Sequence, residues 1–133
     1  TAAVIKQCIE YGQQATAGLG GLGLVNGPGN DGVSITALTA AGAHLVLFTT
    51  GRGTPMGAPV PTLKIATNPD LAARKPGWID FDAGAFVSGA ATMDELRDGL
   101  WRQILDVASG RLEAKNELNG YREIAIWKMG VTV

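Results

Sequence analysis

The sequence predicts a single α/β domain, layered α/β/α around a mainly parallel sheet, and three observations carry that prediction. Short apolar runs of strand length alternate with segments whose apolar residues recur at helical spacing. The run Leu45-Val46-Leu47-Phe48, entered from His44, is continuously apolar, as a strand buried on both faces of a parallel sheet would be. The chain has 133 residues, the length of one domain.

Along the chain, Val4, Ile5, Cys8 and Ile9 recur at helical spacing, with Gly12 placed to close a first helix. Residues 13–21 are polar and glycine-rich and read as a loop; Leu22, Leu24 and Val25 make a short strand. Gly27-Pro28-Gly29-Asn30-Asp31-Gly32 must turn sharply. Val33, Ile35, Leu38 and Ala41 then form an apolar stripe, with Asp31 as the expected amino-terminal cap and Gly42 as the stop. The strand His44–Phe48 follows, and then a loop to Pro61 that is long for a plain connector. Leu63, Ile65 and Ala66 predict a third strand, Pro69 to Arg74 a short helix, and Trp78 to Asp82 a fourth strand. Thr92-Met93-Asp94-Glu95 is a capping box. It opens the clearest helix, with Met93, Leu96, Leu100, Ile104, Val107 and Ala108 on one face and Gly110 at its end. Leu112 to Gly120 reads as polar surface, and Ile124, Ile126 and Val131 as a closing strand. This order is Rossmann-like, with right-handed crossovers, and ligands are expected outside the carboxyl ends of the strands. That rule selects the loops after Val25, Phe48, Thr67 and Asp82.

Composition narrows the function. A net charge of -1 offers no basic field for a phosphate backbone, so no nucleic acid partner is expected. No apolar run approaches the ~20 residues of a membrane span, and no signal peptide is visible. The single cysteine, Cys8, forbids an intrachain disulfide and fits a reducing, cytoplasmic setting. There are 19 glycines where ordinary usage gives about 9, an excess that points to tight turns or to backbone brought close to a ligand. The chain begins at Thr1 and its first residues already read as structure, so a fragment of a longer polypeptide is expected.

The strongest chemical feature is Phe48-Thr49-Thr50-Gly51-Arg52-Gly53-Thr54-Pro55, at the exit of the apolar strand. An arginine between two glycines can approach a ligand closely, and guanidinium bonds carboxylate in bidentate fashion while threonine hydroxyls add further bonds. The segment reads as a carboxylate cradle or, more simply, as an exposed arginine on a glycine turn. Gly27 to Asp31 precedes a helix, where backbone amides favour anions, although Asp31 suits a cap equally well. Gly18-Leu19-Gly20-Gly21-Leu22-Gly23 spells G-x-G-x-x-G but precedes its strand, so it is no dinucleotide fingerprint. Lys64 lies inside a strand run and is either an edge-strand lysine or one that reaches a partner or a site, where it could act as a base. Asp80 and Asp82 are two apart, could share a strand face, and could ligate a metal, supply a base, or merely end a strand in solvent. His44 stands at the strand end opposite Arg52 and reads as structural. Cys8 reads as core, and Trp78, Trp101 and Trp127 as packing. With one histidine and one cysteine, no self-contained transition-metal site is expected.

Several of these strings, in this order, resemble the carboxy-terminal part of the altronate/galactarate dehydratases: Gly27-Pro28-Gly29-Asn30-Asp31, Ala40-Ala41-Gly42-Ala43, Leu47 to Pro55, Pro61-Thr62-Leu63-Lys64-Ile65-Ala66-Thr67-Asn68, Trp78 to Gly84, and Leu105 to Gly110. The likeness covers most of residues 20–133, and its most specific string is F-T-T-G-R-G-T-P. The resemblance implies a carbon–oxygen lyase that dehydrates a sugar acid to a 2-keto-3-deoxy product with a divalent iron or manganese ion. It also implies a missing amino-terminal part of the same enzyme, so that this chain holds only part of the active site. A related branch eliminates sulfite from sulfolactate, which leaves the leaving group open. A carboxylate-binding module without catalysis, or a dimer-forming structural domain, are the rival readings, and a homodimer is among the expected partners. The site expected from cradle and resemblance together has Thr49, Thr50, Gly51, Arg52, Gly53 and Thr54 around the carboxylate, with Asn30, Asp31 and Asn68 nearby. Lys64 is the expected base or charge stabiliser beside Arg52 and Asp82, with Asp31 and Asp80 as the metal candidates.

Overall fold

A computed structural model describes residues 3–128. Its strands are β1 (Ile5–Ile9), β2 (Leu22–Val25), β3 (Val46–Thr50), β4 (Thr62–Ala66) and β5 (Phe81–Asp82). Its helices are α1 (Asp31–Ala40), α2 (Pro69–Arg74), α3 (Met93–Ala108) and α4 (Lys115–Leu118), with a 3₁₀ turn over Ala83–Phe86. Every strand pairing among the described residues is parallel, and helices lie between β2 and β3 and between β4 and β5 while a loop joins β3 to β4, so the α/β class holds. The strands form two sheets instead of one: β1 pairs with β2, and β3, β4 and β5 lie side by side in that order. No helix among the described residues is long and apolar enough to cross a membrane.

The amino terminus departs from the expected helix. Ile5 to Ile9 is a strand in register with Leu22 to Val25. Five residues are too few for a stable lone helix, and the β-branched isoleucines at both ends suit a strand. Only Ile9 of β1 is buried, and Cys8, expected in a core, is exposed. Gly18 to Gly23 runs into β2 from its amino-terminal side, as the order of glycines and strand required.

β4 is the centre of the domain. All five of its residues are buried, and it pairs with β3 from Val46↔Thr62 to Thr50↔Ala66 and with β5 at Ile65↔Phe81 and Ala66↔Asp82. Leu63 packs on Val107 of α3 and on Ala114 beside α4. Ala66 packs on Leu71 of α2 and on Ile79. A third cluster joins Ile35 of α1 to Val46 of β3 and Ala58 of the following loop. β3 is less enclosed than its apolar run predicts, because β4 is its one partner among the described residues and Leu47 is 47% exposed. The fourth strand shrinks to two residues, since Asp80 is drawn into side-chain bonds before the ladder begins.

The helix signals hold well. Thr92 and Glu95 close a reciprocal capping box on α3, and the Thr92 amide and hydroxyl hold the Glu95 carboxyl below the usual carboxylate range. Of the face expected to be apolar and buried, Val107 is buried, Leu96, Leu100 and Ile104 are half-buried, and Met93 and Ala108 are exposed. α1 is capped one residue earlier than expected, by Asn30, whose side chain accepts from the Val33 amide at 3.2 Å. Residues 112–120 are not simple surface: Ala114 and Asn116 have no exposure. Ile124 and Ile126 lie outside any ladder and are exposed, and Val131 lies outside the described residues. Trp101 and Trp127 are exposed, and Trp127 meets Tyr11 edge-on at 5.6 Å.

Gly84 locks the 3₁₀ turn against the start of α2. A Cβ there would sit 2.4 Å from the Asn68 backbone and 2.5 Å from the Pro69 nitrogen. Backbone cannot yield as a flexible side chain would, so Gly84→Ala should cost about 1–3 kcal/mol of stability or more. The measurement is the urea midpoint, and an unchanged midpoint would contradict this packing.

Candidate functional site

The Arg52 loop leaves the carboxyl end of β3, where the sheet rule places ligands. The turn is built by its own side chains. The Thr50 hydroxyl accepts from the Gly53 amide at 2.9 Å, and Gly53 sits at φ 77, a left-handed conformation that favours glycine. A Cβ on Gly53 would also meet Leu71 at 2.8 Å and Lys75 at 3.1 Å, so the turn lies directly on the α2 region. The Lys75 ammonium donates to the Arg52 carbonyl at 3.1 Å, and Asn68, the cap of α2, donates from Nδ2 to the Gly51 carbonyl at 3.2 Å. Thr54 closes the loop by accepting from the Met56 amide at 3.2 Å.

These bonds leave the Arg52 side chain exposed, with no ion pair among the described residues. A polar hollow of about 620 Å³ opens beside it, lined by Asp31 and by Leu47, Phe48, Thr49, Thr50, Gly51 and Arg52. The structure thus brings together Asp31, Thr49, Thr50, Gly51 and Arg52 from two elements that the sequence separates by about twenty residues. The lining of one volume thus includes an aspartate, an arginine and two threonines, which suits a ligand with several hydroxyls and an acid group at Arg52.

The remaining sequence candidates stand elsewhere. Asn30 and Asn68 cap α1 and α2, and Gly53 and Thr54 shape the turn from behind. Asp82 caps the 3₁₀ turn, accepting from the Gly84 amide at 2.8 Å. The Asp80 carboxylate accepts from the Lys64 amide at 2.8 Å and from the Lys115 amide at 2.9 Å, tying β4 to the start of α4. Asp80 and Asp82 therefore form no pair on one strand face. Among the described residues, no group of three or more histidine, cysteine, aspartate or glutamate side chains could hold a metal ion.

Lys64 is neither an edge lysine nor part of the hollow's wall. It is central in the sheet and has no exposure. Its ammonium donates to the Pro55 carbonyl at 2.8 Å and the Met56 carbonyl at 3.0 Å. Burial pulls its pKa below the usual lysine value, and the carboxylates of Asp80 and Glu123 oppose that pull. Around it, the Glu123 carboxylate accepts from the Gly57 amide at 2.8 Å. Thr62 Oγ1 accepts from the Ala58 amide at 2.9 Å, and Asn116 Oδ1 accepts from the Thr62 amide at 2.8 Å. A polar pedestal, buried at Thr62, Lys64 and Asn116, thus fixes residues 55–58, immediately after the Arg52 turn. Asn116 and Glu123 were invisible to sequence reasoning, because no local pattern marks a bond that spans more than fifty residues. Arg74 and Lys75, beside the turn, were missed as well; their one local signal was a pair of cations ending a short helix.

Residues 1–132 match the family model for D-galactarate/altronate dehydratase, C-terminal. The chain is 48% identical over 130 residues to the altronate dehydratase of Escherichia coli strain K12, covering 98% of this chain and 26% of that protein. It is 47% identical over 113 residues to the altronate dehydratase of Bacillus subtilis strain 168, covering 85% of this chain and 22% of the relative. It is 38% identical over 102 residues to the L-threo-forming galactarate dehydratase of Escherichia coli strain K12, covering 75% and 20%. The chain thus spans about a quarter or less of the length of these curated relatives.

Proposed function

The chain belongs to the D-galactarate/altronate dehydratase C-terminal family, and from that premise we propose that it serves as the carboxy-terminal part of a hydro-lyase acting on a sugar acid such as altronate or galactarate. The observation that carries this reading is the exposed Arg52, without an ion pair among the described residues, at the mouth of a hollow lined by Thr49, Thr50 and Asp31. In the proposed reaction the C2 proton of the acid is removed, the C3 hydroxyl departs as water, and the resulting enol becomes a 2-keto-3-deoxy acid. Removing a proton beside a carboxylate builds negative charge on that carboxylate. A fixed guanidinium stabilises that charge without reorganising. Arg52 is assigned that role, Thr49 and Thr50 line the path of the neighbouring hydroxyls, and Asp31 orients a substrate hydroxyl.

The group that removes the proton is proposed to come from the preceding part of the enzyme. Lys64 holds backbone carbonyls beneath the loop, and Asp80 and Asp82 hold backbone amides. The same holds for the divalent iron or manganese ion that the resemblance implies: the described residues do not assemble a ligand set for it, and Asp31 is the one carboxylate on the hollow. A homodimer and a cytoplasmic setting remain part of this proposal.

The test is a 2-keto acid assay of the complete polypeptide with altronate, galactarate and sulfolactate, in parallel with calorimetry of this chain alone. Turnover of a sugar acid by the complete polypeptide, with little or no binding by the chain alone, is the expected outcome. Sulfite release from sulfolactate would move the enzyme to the sulfo-lyase branch. Tight metal-free binding by the chain, with no turnover by the complete polypeptide, would leave a binding module and end the lyase reading.

A further inference from the structure

A second concavity, of about 310 Å³, lies on the α2 side of the same turn and is lined by Gly51, Arg52, Leu71, Arg74 and Lys75. It shares Gly51 and Arg52 with the larger hollow, so the two lobes flank the arginine. Among the described residues, the small lobe has three cations in its wall and no acidic side chain. None of the three forms an ion pair among the described residues. Arg74 makes one side-chain bond, from Nε to the Asp70 carbonyl at 3.2 Å. Lys75 donates to the Arg52 carbonyl and lies 4.6 Å from the centre of the Trp78 ring, which fixes its ammonium at the edge of the lobe. Three like charges around one small volume repel one another, and an anion among them relieves that repulsion. The larger hollow differs in kind: beyond the shared Gly51 and Arg52 its wall is formed by Asp31, Thr49, Thr50, Leu47 and Phe48, with a carboxylate and no cation besides Arg52 among the described residues, so a negative charge away from Arg52 is poorly placed there.

From this contrast we infer that the carboxylate of the acid substrate sits in the small lobe, between Arg52, Arg74 and Lys75, while its hydroxylated chain extends across Arg52 into the larger hollow. The inference rests on the sugar-acid reading and adds to it two binding residues and the direction in which the substrate lies. Arg74 and Lys75 are here positioning and affinity residues, and the developing charge is still met by Arg52.

The experiment measures equilibrium binding of altronate and of the neutral alditol altritol to the complete polypeptide, wild type and Arg74→Gln. Arg74 supports the loop through no side-chain bond, so its loss tests charge and not folding; Arg74→Lys is the charge-preserving control. Wild type should bind the acid at least about ten-fold more tightly than the alditol. Arg74→Gln should remove about ten-fold of the acid's affinity, as expected for one charge-assisted contact, and should leave the alditol's affinity unchanged. Arg74→Lys should recover part of the loss, and rising salt should weaken the acid alone. Acid binding unaltered by Arg74→Gln overturns the inference, as does equal weakening of acid and alditol. Turnover of a sugar acid, followed in the same wild-type samples, reports separately on the lyase reading. An active enzyme with an indifferent Arg74 loses the lobe and keeps the function, whereas inactivity toward every sugar acid ends the reading itself.

Discussion

Replacing Lys64 with alanine is expected to cost about 3–5 kcal/mol of unfolding free energy, as does removing one member of a buried charged network. Three losses act together. The Pro55 and Met56 carbonyls lose the ammonium that satisfies them, the side-chain stem leaves a void in the most buried strand of the domain, and the Asp80 and Glu123 carboxylates lose a cation that attracts them. Lys64→Met separates these contributions, because it refills the void and supplies no donor. Its stability should fall between wild type and alanine, while protection of the amides over residues 54–57 falls toward that of the alanine variant. The pH dependence gives an independent check. Burial lowers the folded-state pKa of Lys64 below the usual 10.5, so between the folded and unfolded values the unfolded chain binds more protons. Stability from this group therefore rises with pH through that window and is lost as pH falls through the folded value. Wild type should gain on Lys64→Met as pH climbs toward 10.5. A constant difference over that range, with an unaltered loop, would show that Lys64 is not the strut beneath Arg52.

The buried strut marks the boundary of what the sequence disclosed. Local chemistry was legible: Thr92 with Glu95, the short helix from Pro69 to Arg74, and the glycine turn about Arg52 each appear where expected, although Asn68, expected beside the substrate, caps that helix instead. The position of the candidate hollow was legible for the same reason, since an apolar strand followed by a glycine turn is a local pattern. Pairing was not. Ile5 to Ile9 carries apolar spacing that serves a helix or a strand, and its parallel ladder with Leu22 to Val25 decides the matter. Hydrophobicity expresses a need for cover without naming what supplies it, which is why Leu47, Trp101 and Trp127 remain exposed in this chain. The roles of Lys64, Asp80 and Asp82 failed to follow from their types for a related reason. A charged side chain near a strand end can meet substrate or satisfy buried backbone, and here the Asp80 carboxylate is taken up by the amides of Lys64 and Lys115 and the Lys64 ammonium by the carbonyls of Pro55 and Met56.

Arg52→Lys in the complete polypeptide is expected to lower kcat by about 10²–10³-fold, the usual cost of losing a preorganised donor to developing charge, while leaving the urea midpoint within error. The two halves of that prediction have separate causes. The loop is held by bonds to the backbone of residues 51–53 from Thr50, Asn68 and Lys75, none of which uses the arginine side chain. Lysine can therefore replace it without disturbing the turn. Charge is also kept, so long-range attraction of an anion persists and KM should move less than kcat. What disappears is the planar fork: an ammonium cannot present two parallel donors to a carboxylate whose charge grows during proton removal. Thr49→Val supplies the calibration, because the Thr49 hydroxyl is exposed, makes no bond within the described residues and lines the same hollow. Its loss should be no larger than one neutral hydrogen bond, about 0.5–1.5 kcal/mol, and so well below that of Arg52→Lys. Equal small effects from both variants would mean that the hollow binds the substrate without stabilising its transition state, and the catalytic charge would then have to be met from the preceding part of the enzyme.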